Sequence, residues 1–258
     1  EFTIQSVSKP FVYALALRSR GIDEVLTHVD VEPSGEPFNA ISLDADSGRP
    51  RNPMINAGAI VVAALVEGVT AADKSASIAE GLSAFAGRPL VVDEAVYQSE
   101  HDTGDRNRAL AHLTRSAGVL AASVDVAIET YFRQCSLVVT ARDVAIMSAT
   151  LANAGRNPVT HERVVSEEVA RWTMAVMAGS GMYDSSGEWL ARVGMPAKSG
   201  VSGGIAAVDP GYFGIGTYSP RLDARGSSVR GVAMLEALSA DYGLHMLAHP
   251  GGTFDPFD

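Results

Sequence analysis

The chain has 258 residues, of which 47% are hydrophobic and 19% are charged, a composition typical of globular proteins and not of disordered ones. Its 20 basic residues against 30 acidic residues give a net charge of −10, which argues against nucleic acid or an anionic membrane surface as the main partner. The single cysteine, Cys135, excludes an intramolecular disulfide and a multi-cysteine zinc site, and it favours a reducing compartment such as the cytoplasm. No apolar run reaches the roughly 18 residues of a membrane span.

The chain up to about residue 178 is predicted to be mostly helical. Residues 6–20 are typical of a helix that Gly21 ends, and a long irregular segment follows from about 31 to 53, a length at which loops are often functional. Further helical patterns lie at about 57–67, 71–86, 93–99, 105–117, 123–134, 140–154 and 166–178. Two of them begin near capping-box spacing, with Thr70 before Asp73 and Thr140 before Asp143.

After Gly179 the pattern changes to short strand-like runs separated by turn residues. These runs are 191–195, 204–209 with 212–218, and 228–235. A last helix is predicted from about 239 to 248. The order predicts an α+β fold, in which a helical middle is followed by an antiparallel sheet. Because three strands make a thin sheet, we expect further strands from a segment before residue 1.

Lysine is scarce in this chain, with 3 residues (Lys9, Lys74 and Lys198) against 17 arginines. Arginine therefore supplies most of the cations. Since arginine does not deprotonate in a protein whereas lysine can be tuned to act as a base, lysine is expected where arginine does not serve.

Ser6-Val7-Ser8-Lys9 forms an S-x-x-K motif at the start of the first predicted helix, where Ser6 and Lys9 share one face. A serine hydroxyl is a weak nucleophile that needs a neighbouring base. A lysine with its ordinary pKa of about 10.4 is protonated at neutral pH, but burial or a second cation lowers that pKa. The alternative interpretation of Lys9 is a solvated side chain after a helix cap.

Lys198-Ser199-Gly200-Val201 has the form K-[ST]-G, the distal partner of S-x-x-K in serine acyl-transfer enzymes. Gly200 permits close backbone approach, and the N–H of the next residue can join an oxyanion hole. The alternative is a plain glycine turn between strands. Two of the three lysines fall in these two motifs, which argues against coincidence.

Several polar residues between these motifs are candidates for binding an amino acid. Glu100 and Asn107 lie in a loop of mixed charge, which could equally be a solvated turn. A carboxylate suits a substrate ammonium, and amide donors suit an α-carboxylate. Asn56 has the common alternative role of a helix cap. Tyr131 is equally typical of a core, and Tyr183 of a turn.

The segments that carry these residues resemble the serine-dependent glutaminase family, which shares the β-lactamase/penicillin-binding-protein fold. The matching blocks follow one another in order along nearly the whole chain. They are 4–10, 32–35 with Phe38 and Asn39, 52–60, 99–107, 131–136, 181–184, and 196–204.

The resemblance implies one β-lactamase-like domain over residues 1–258, with an antiparallel sheet flanked by helices and an all-helical subdomain. The mostly helical subdomain is expected at about 22–178, and the sheet-side subdomain from 1–21 and 179–258. Family members also have strands and a Tyr-Ile-Pro motif before the nucleophile helix. This chain begins too late to contain them, so we expect those strands to be missing here.

The resemblance further implies deamidation of L-glutamine to L-glutamate and ammonia through a γ-glutamyl-serine acyl-enzyme. Ser6 would be the nucleophile, Lys9 its base and Tyr183 the proton shuttle, with backbone N–H groups of Ser6 and Val201 as the oxyanion hole. Substrate contacts fall on Gln5, Asn56, Glu100, Asn107 and Tyr131. Lys198 would give electrostatic support, and Cys135 would be a buried structural thiol. No cofactor or metal is implied, and a homodimer or homotetramer is expected.

Two other functions are weighed against this one. A β-lactamase or DD-peptidase should carry S-D-N or Y-x-N between the lysine motifs, and no S-D-N occurs. A non-catalytic amino-acid-binding relative should have lost Ser6, Lys9 or Tyr183, and all three are present. The excess of acidic residues, together with arginine in place of lysine, also permits the hypothesis that the protein tolerates high salt. A high-GC genome explains the low lysine count equally well.

Overall fold

The computed structural model describes residues 1–35 and 41–248, and its helices are arranged around a small antiparallel sheet. The helices are α1 Lys9–Arg20, α2 Ile22–Leu26, α3 Asn56–Leu65, α4 Ala71–Ala86, α5 Glu94–Thr103, α6 Asp105–Ser116, α7 Val124–Cys135, α8 Ala141–Ala152, α9 Glu167–Ser180, α10 Ser186–Arg192 and α11 Val229–Tyr242. The strands are β1 Phe2–Thr3, β2 Val138–Val139, β3 Ala197–Ser199, β4 Gly204–Asp209 and β5 Phe213–Tyr218. Short 3-10 turns span Gln5–Ser8 and Tyr183–Ser185.

The sheet has the order β3-β4-β5, with both pairs antiparallel, and it divides the hydrophobic interior in two. Ala206 and Val208 of β4 face the larger core, which the helical layer fills. Ile205 and Ala207 face a smaller core, to which α10 and α11 contribute Trp189 and Leu235. Successive side chains of a strand point to opposite faces, so this alternation places helices on both sides of the sheet.

Helices α1 and α3 form the centre of the helical layer. Every residue of α3 is buried, and α1 is buried from Lys9 to Leu17. A helix that is apolar all round is suited only to such an interior position. The carbonyls at the C-terminal end of α3 lack helical partners, and two basic side chains satisfy two of them. Arg20 Nε donates to Leu65 O at 3.0 Å, and Lys74 Nζ donates to Val66 O at 2.7 Å.

The predicted helices between α3 and α9 are confirmed, with ends that differ by a few residues. Both predicted capping boxes are present, because the threonine oxygen accepts from the backbone of the aspartate three residues later. The aspartate side chain accepts in return from the threonine N–H, at 2.9 Å for Thr70 and 2.7 Å for Thr140. The predicted strands 204–209 and 212–218 are confirmed as β4 and β5. No helix of the described ranges is long and apolar enough to cross a membrane.

Two predicted strands and one predicted helix are wrong. Residues 191–195 contain the end of α10 and a turn, and the third strand of the sheet is instead β3. Residues 228–235 open α11, because Ser228 Oγ accepts from Gly231 N at 3.0 Å and so caps a helix. The last helix therefore begins about ten residues before its predicted start at 239 and ends at Tyr242.

Glycines let α8 lie directly on β5. A Cβ atom on Gly214 would lie 2.0 Å from the backbone N of Ala149, and one on Gly216 would lie 2.2 Å from the carbonyl oxygen of Ala141. Since these neighbours are backbone atoms, they have no rotamer by which to move aside.

Gly216→Ala is therefore expected to destabilise the fold, while Gly187→Ala is expected to stabilise it slightly. Overpacking costs about 1–3 kcal/mol in free energy of unfolding, whereas Gly187 lies in α10 with open space around it, where alanine gains about 0.4–1 kcal/mol. Thermal unfolding measures both, since 1 kcal/mol shifts Tm by about 2–4 °C in a chain of this size. Equal Tm changes of the same sign would contradict this packing.

Candidate active site

The S-x-x-K motif forms a tight turn, named here the Ser6 turn (Gln5–Ser8), that leads into α1. Ile4 N donates to Leu137 O at 2.8 Å, and Val7 N donates to Ile4 O at 3.1 Å, so the turn is anchored to the loop after α7. Gln5 has φ +48°, a left-handed conformation that costs a non-glycine residue free energy. Ser6 is buried to 7% exposure and follows this strained residue directly.

Lys9 is 1% exposed, and its ammonium is held at the N-terminal end of α3. Lys9 Nζ donates to Asn56 Oδ1 at 2.6 Å and to Met54 O at 3.1 Å. Burial lowers the pKa of Lys9 to about 8, although Cys135 opposes the shift. About a tenth of this amine is therefore neutral at pH 7 and able to accept a proton.

Tyr183 provides the contact between the Ser6 turn and the second lysine motif. Its hydroxyl donates to Ser199 O at 3.1 Å. The Ser6 side chain lies beside this hydroxyl and acts to lower the pKa of Tyr183. Burial raises the pKa of Tyr183 to about 12, which keeps the phenol protonated. Tyr183 also has positive φ, at +57°, as Gln5 does.

Lys198 is fully buried behind Tyr183. Its Nζ donates to Ser199 O at 2.6 Å and lies 4.0 Å from the centre of the Tyr183 ring. Burial, and then the charge of Lys9, hold the pKa of Lys198 well below its usual range. Lys198 thus fixes the carbonyl that Tyr183 also contacts, and its Nζ packs against the face of the ring.

The turn after β3 brings Gly200, the residue before Val201, close to the Ser6 turn. A Cβ atom on Gly200 would lie 3.0 Å from Val7 Cγ2 and 3.4 Å from Ile4 O. Gly200 N donates to Gly204 O at 3.0 Å, which fixes the turn, whereas the N–H of Val201 has no acceptor among the described residues. An unpaired N–H at this place is available to a ligand.

The polar candidates between the motifs form two connected groups. Asn56 Nδ2 donates to Asn107 Oδ1 at 3.0 Å, and the Tyr131 hydroxyl donates to Asn56 Oδ1 at 3.4 Å, next to Lys9. Gln5 Nε2 donates to Glu100 Oε1 at 3.2 Å. Burial raises the pKa of Tyr131 well above its usual value, so this phenol is protonated.

The ten candidate residues therefore lie in one region. Each of them lies in the Ser6 turn or the turn after β3, forms a hydrogen bond with another candidate, or shares a hydrogen-bond acceptor with one. Their individual roles stay predictions. Phe38 and Asn39, which belong to the family-like segments of the sequence, lie outside the described residues.

A cleft of about 80 Å³ opens beside Tyr183, and it is lined in part by Pro33, Met54 and Ser180. Within residues 1–35 and 41–248, no three His, Cys, Asp or Glu side chains are grouped so that they could hold a metal ion.

Some residues of the site are not apparent from the sequence alone. Asn52 Oδ1 accepts from Met54 N at 3.1 Å and from Ile55 N at 3.2 Å, which shapes the chain where α3 begins. Gln134 Nε2 donates to Ser8 Oγ at 2.9 Å, beneath the Ser6 turn. Asn52 and Ser8 lie inside recognisable motifs, so the sequence alone could have indicated them. No sequence pattern indicates Gln134, because it meets Ser8 only through the packing of α7.

The chain matches the Glutaminase protein family over residues 1–247. It is 54% identical over 246 residues to Glutaminase 1 of Bradyrhizobium diazoefficiens, and the aligned region covers 95% of this chain and 40% of that relative. The solved structure of a Bacillus subtilis probable glutaminase has a TM-score of 0.91 and 40% identity, over 94% of this chain and 82% of that one. Mglu in its glutamate form has a TM-score of 0.92 and 48% identity, over 97% of this chain and 58% of that one.

These similarities place the fold in the β-lactamase-like α+β class of the serine-dependent glutaminases. Within that class, the chain belongs to the glutaminase family. It spans only about two fifths of the length of two Bradyrhizobium diazoefficiens relatives, 40% of Glutaminase 1 and 39% of Glutaminase 2.

The thiol of Cys135 is expected to be unreactive in the folded protein. It is buried next to Tyr131, and burial raises its pKa to about 12, so almost no thiolate is present at pH 8. Alkylation by iodoacetamide, followed by mass spectrometry, should give no adduct in native protein at pH 8 and full modification in denaturant. Rapid labelling of native protein would contradict the burial.

Proposed function

We propose that this chain hydrolyses L-glutamine to L-glutamate and ammonia through a γ-glutamyl ester of Ser6. The observation that carries this proposal is the Ser6 hydroxyl beside Tyr183, one helical turn before a buried Lys9 that Asn56 holds and whose pKa is lowered to about 8. Membership of the glutaminase family supports glutamine as the substrate. The relative Mglu has been solved in its glutamate form.

In the acylation step, Ser6 Oγ attacks the side-chain carbonyl carbon of glutamine while neutral Lys9 takes up the hydroxyl proton. The new carbon–oxygen bond leaves negative charge on the former carbonyl oxygen. Tyr183, protonated because its pKa is about 12, gives its proton to the amide nitrogen. The carbon–nitrogen bond then breaks, ammonia leaves, and the Lys9 ammonium returns a proton to Tyr183.

In the deacylation step, water attacks the ester carbon and Lys9 accepts a proton from that water. The bond to Ser6 Oγ breaks, Ser6 recovers the proton from Lys9, and L-glutamate is released. The same base thus serves both steps, which requires a group that changes protonation near the working pH.

Backbone N–H groups of Ser6 and Val201 are proposed to bind the oxyanion that forms in each step. Such donors act most strongly on charge that develops in the transition state, at sites shielded from water. The unpaired N–H of Val201 and the close approach of the preceding Gly200 to the Ser6 turn support this role.

Substrate recognition is proposed to divide between the two polar groups of the site. The Glu100 carboxylate, bonded to Gln5, suits the substrate ammonium. Asn56, Asn107 and the protonated Tyr131 offer donors and acceptors for the remaining polar atoms of the amino acid.

Replacement of the nucleophile tests the proposal most directly. Ser6→Ala is expected to lower ammonia release from L-glutamine by more than about 10³-fold, because no other group would carry the acyl intermediate. Ser239→Ala, which removes another buried serine hydroxyl, is the control and should keep the parental rate. L-asparagine and a chromogenic β-lactam serve as competing substrates.

Glutamine turnover that survives in Ser6→Ala would overturn the assigned nucleophile. Opening of the β-lactam without any turnover of glutamine would replace the proposed reaction with that of a β-lactamase. Binding of glutamine without turnover of any substrate would favour a non-catalytic relative.

The pH dependence tests Lys9 as the base. Since the neutral amine is the active form, kcat/KM is expected to rise about tenfold per pH unit below about 8 and then to level off. Lys9→Arg should lose more than about 10³-fold and show no rise between pH 7 and 9, because guanidinium stays protonated. Lys74 belongs to α4, and its Nζ contacts the chain at the C-terminal end of α3, opposite the end that holds Lys9. Lys74→Arg is therefore the matched control and should keep the parental profile. A parental profile in Lys9→Arg would exclude Lys9 as the base.

A further inference from the structure

The strained backbone of Gln5 needs a physical explanation, because it adjoins the proposed nucleophile. A non-glycine residue at φ +48° costs about 1–3 kcal/mol and persists only where its surroundings hold it. Two hydrogen bonds that involve side chains act on this residue. Its carbonyl accepts from Ser8 Oγ at 2.7 Å, and its side chain donates to Glu100 at 3.2 Å.

The bond to the Gln5 carbonyl is the end of a buried relay, formed by Gln134, Ser8 and the Gln5 carbonyl. Gln134 Nε2 donates to Ser8 Oγ at 2.9 Å, and both side chains are at most 2% exposed. A serine hydroxyl has one proton and two acceptor sites. Since Gln134 occupies an acceptor site, the single proton of Ser8 is left for the Gln5 carbonyl.

The carbonyl oxygen of the Gln134 side chain shows that packing alone does not account for a glutamine at this position. Its Oε1 is buried and has no hydrogen-bond partner among the described residues. A buried acceptor without a partner costs about 1–3 kcal/mol, and an apolar side chain of similar size would avoid that cost. The contribution of Gln134 therefore lies in the hydrogen bond that it donates to Ser8.

Fixing the Gln5 carbonyl also fixes the N–H of Ser6, because both belong to one peptide unit. That unit is planar, so its C=O and N–H point in opposite directions and rotate together. A hydrogen bond accepted by the carbonyl also polarises the N–H of the same unit. The N–H of Ser6 is one of the two proposed oxyanion donors.

We propose that Gln134 and Ser8 are positioning residues, whose relay aims the N–H of Ser6 into the oxyanion hole. This inference rests on the proposed function, since the oxyanion belongs to that reaction. Neither side chain needs to touch the substrate. The relay connects α7, which also carries Tyr131, to the turn that carries the nucleophile.

The relay predicts a loss of kcat with little change in KM. Oxyanion donors act on the transition state more than on bound substrate. Gln134→Met and Ser8→Ala are each expected to lower kcat for glutamine about tenfold, less than the 10²–10³-fold that follows loss of a whole donor. Because both variants break one relay, the double variant should be no slower than the slower single variant.

Thr130→Val is the matched control. Thr130 lies on the same helix, is fully buried, and donates within α7 to Val126 O at 2.7 Å. Its loss of a buried hydroxyl should cost stability without reaching the Ser6 turn. A fall in Tm with parental kcat is expected for Thr130→Val, and its effect should add to that of Ser8→Ala.

A spectroscopic readout tests the relay without reference to activity. Glutamine labelled with ¹³C at its carbonyl and ¹⁵N-serine give two linked peptide signals, from Gln5-Ser6 and Gln98-Ser99. The Ser6 amide signal should shift in Gln134→Met and in Ser8→Ala, while the Ser99 signal, as internal reference, should stay. Ser6→Ala removes the Gln5-Ser6 signal and so shows which of the two signals belongs to which pair.

Each outcome decides a different point. A shifted Ser6 signal with reduced kcat supports the proposal, whereas unshifted signals in both variants overturn the relay. A shifted signal with unchanged kcat overturns the aiming of the oxyanion donor. If the parent protein releases no ammonia from glutamine while the Ser6 signal still shifts, the proposed function fails and the relay stands alone.

Discussion

Burial of the Lys9 ammonium is the constraint on which the rest of the site depends. A buried charge must either find partners or lose its proton, and here both happen in part. Asn56 at the start of α3 and Met54 just before it supply the two oxygens, while the pKa falls to about 8. This requires α3 to begin beside α1. Gly58 lets the chain before α3 pack against the first turn of that helix, since a Cβ there would lie 2.0 Å from Asn52 O.

The site joins segments that are far apart along the chain. The Ser6 turn, the start of α3, helix α7 and the turn after β3 each contribute side chains or N–H groups. Helix α7 has a double role, since Tyr131 faces the polar group around Asn56 and Gln134 supports the Ser6 turn from beneath. Strain stored at Gln5 and Tyr183 is held by contacts between these segments. The site geometry is therefore a property of the whole packed core.

Local signals made much of this molecule predictable. Capping boxes placed α4 and α8, and the two lysine motifs led to residues that lie together in the structure. Residues 228–235 misled because their β-branched residues are also typical of a strand, whereas the Ser228 cap and the packing of Leu235 decide for a helix. The contact between Gln134 and Ser8 spans 126 positions, and no local pattern encodes such a pairing. Strain at Gln5 is likewise a result of tertiary contacts.

The placement of lysine has a consequence for the outer surface. All three lysines are buried, at 1%, 4% and 0% exposure, and the exposed basic side chains of the described chain are those of arginine or histidine. The folded exterior therefore offers no lysine ε-amine to acylating or imine-forming reagents. Cross-linking and immobilisation through lysine would fail on the intact fold. The first lysine to react would instead report that the interior had opened, which makes these amines built-in sensors of unfolding.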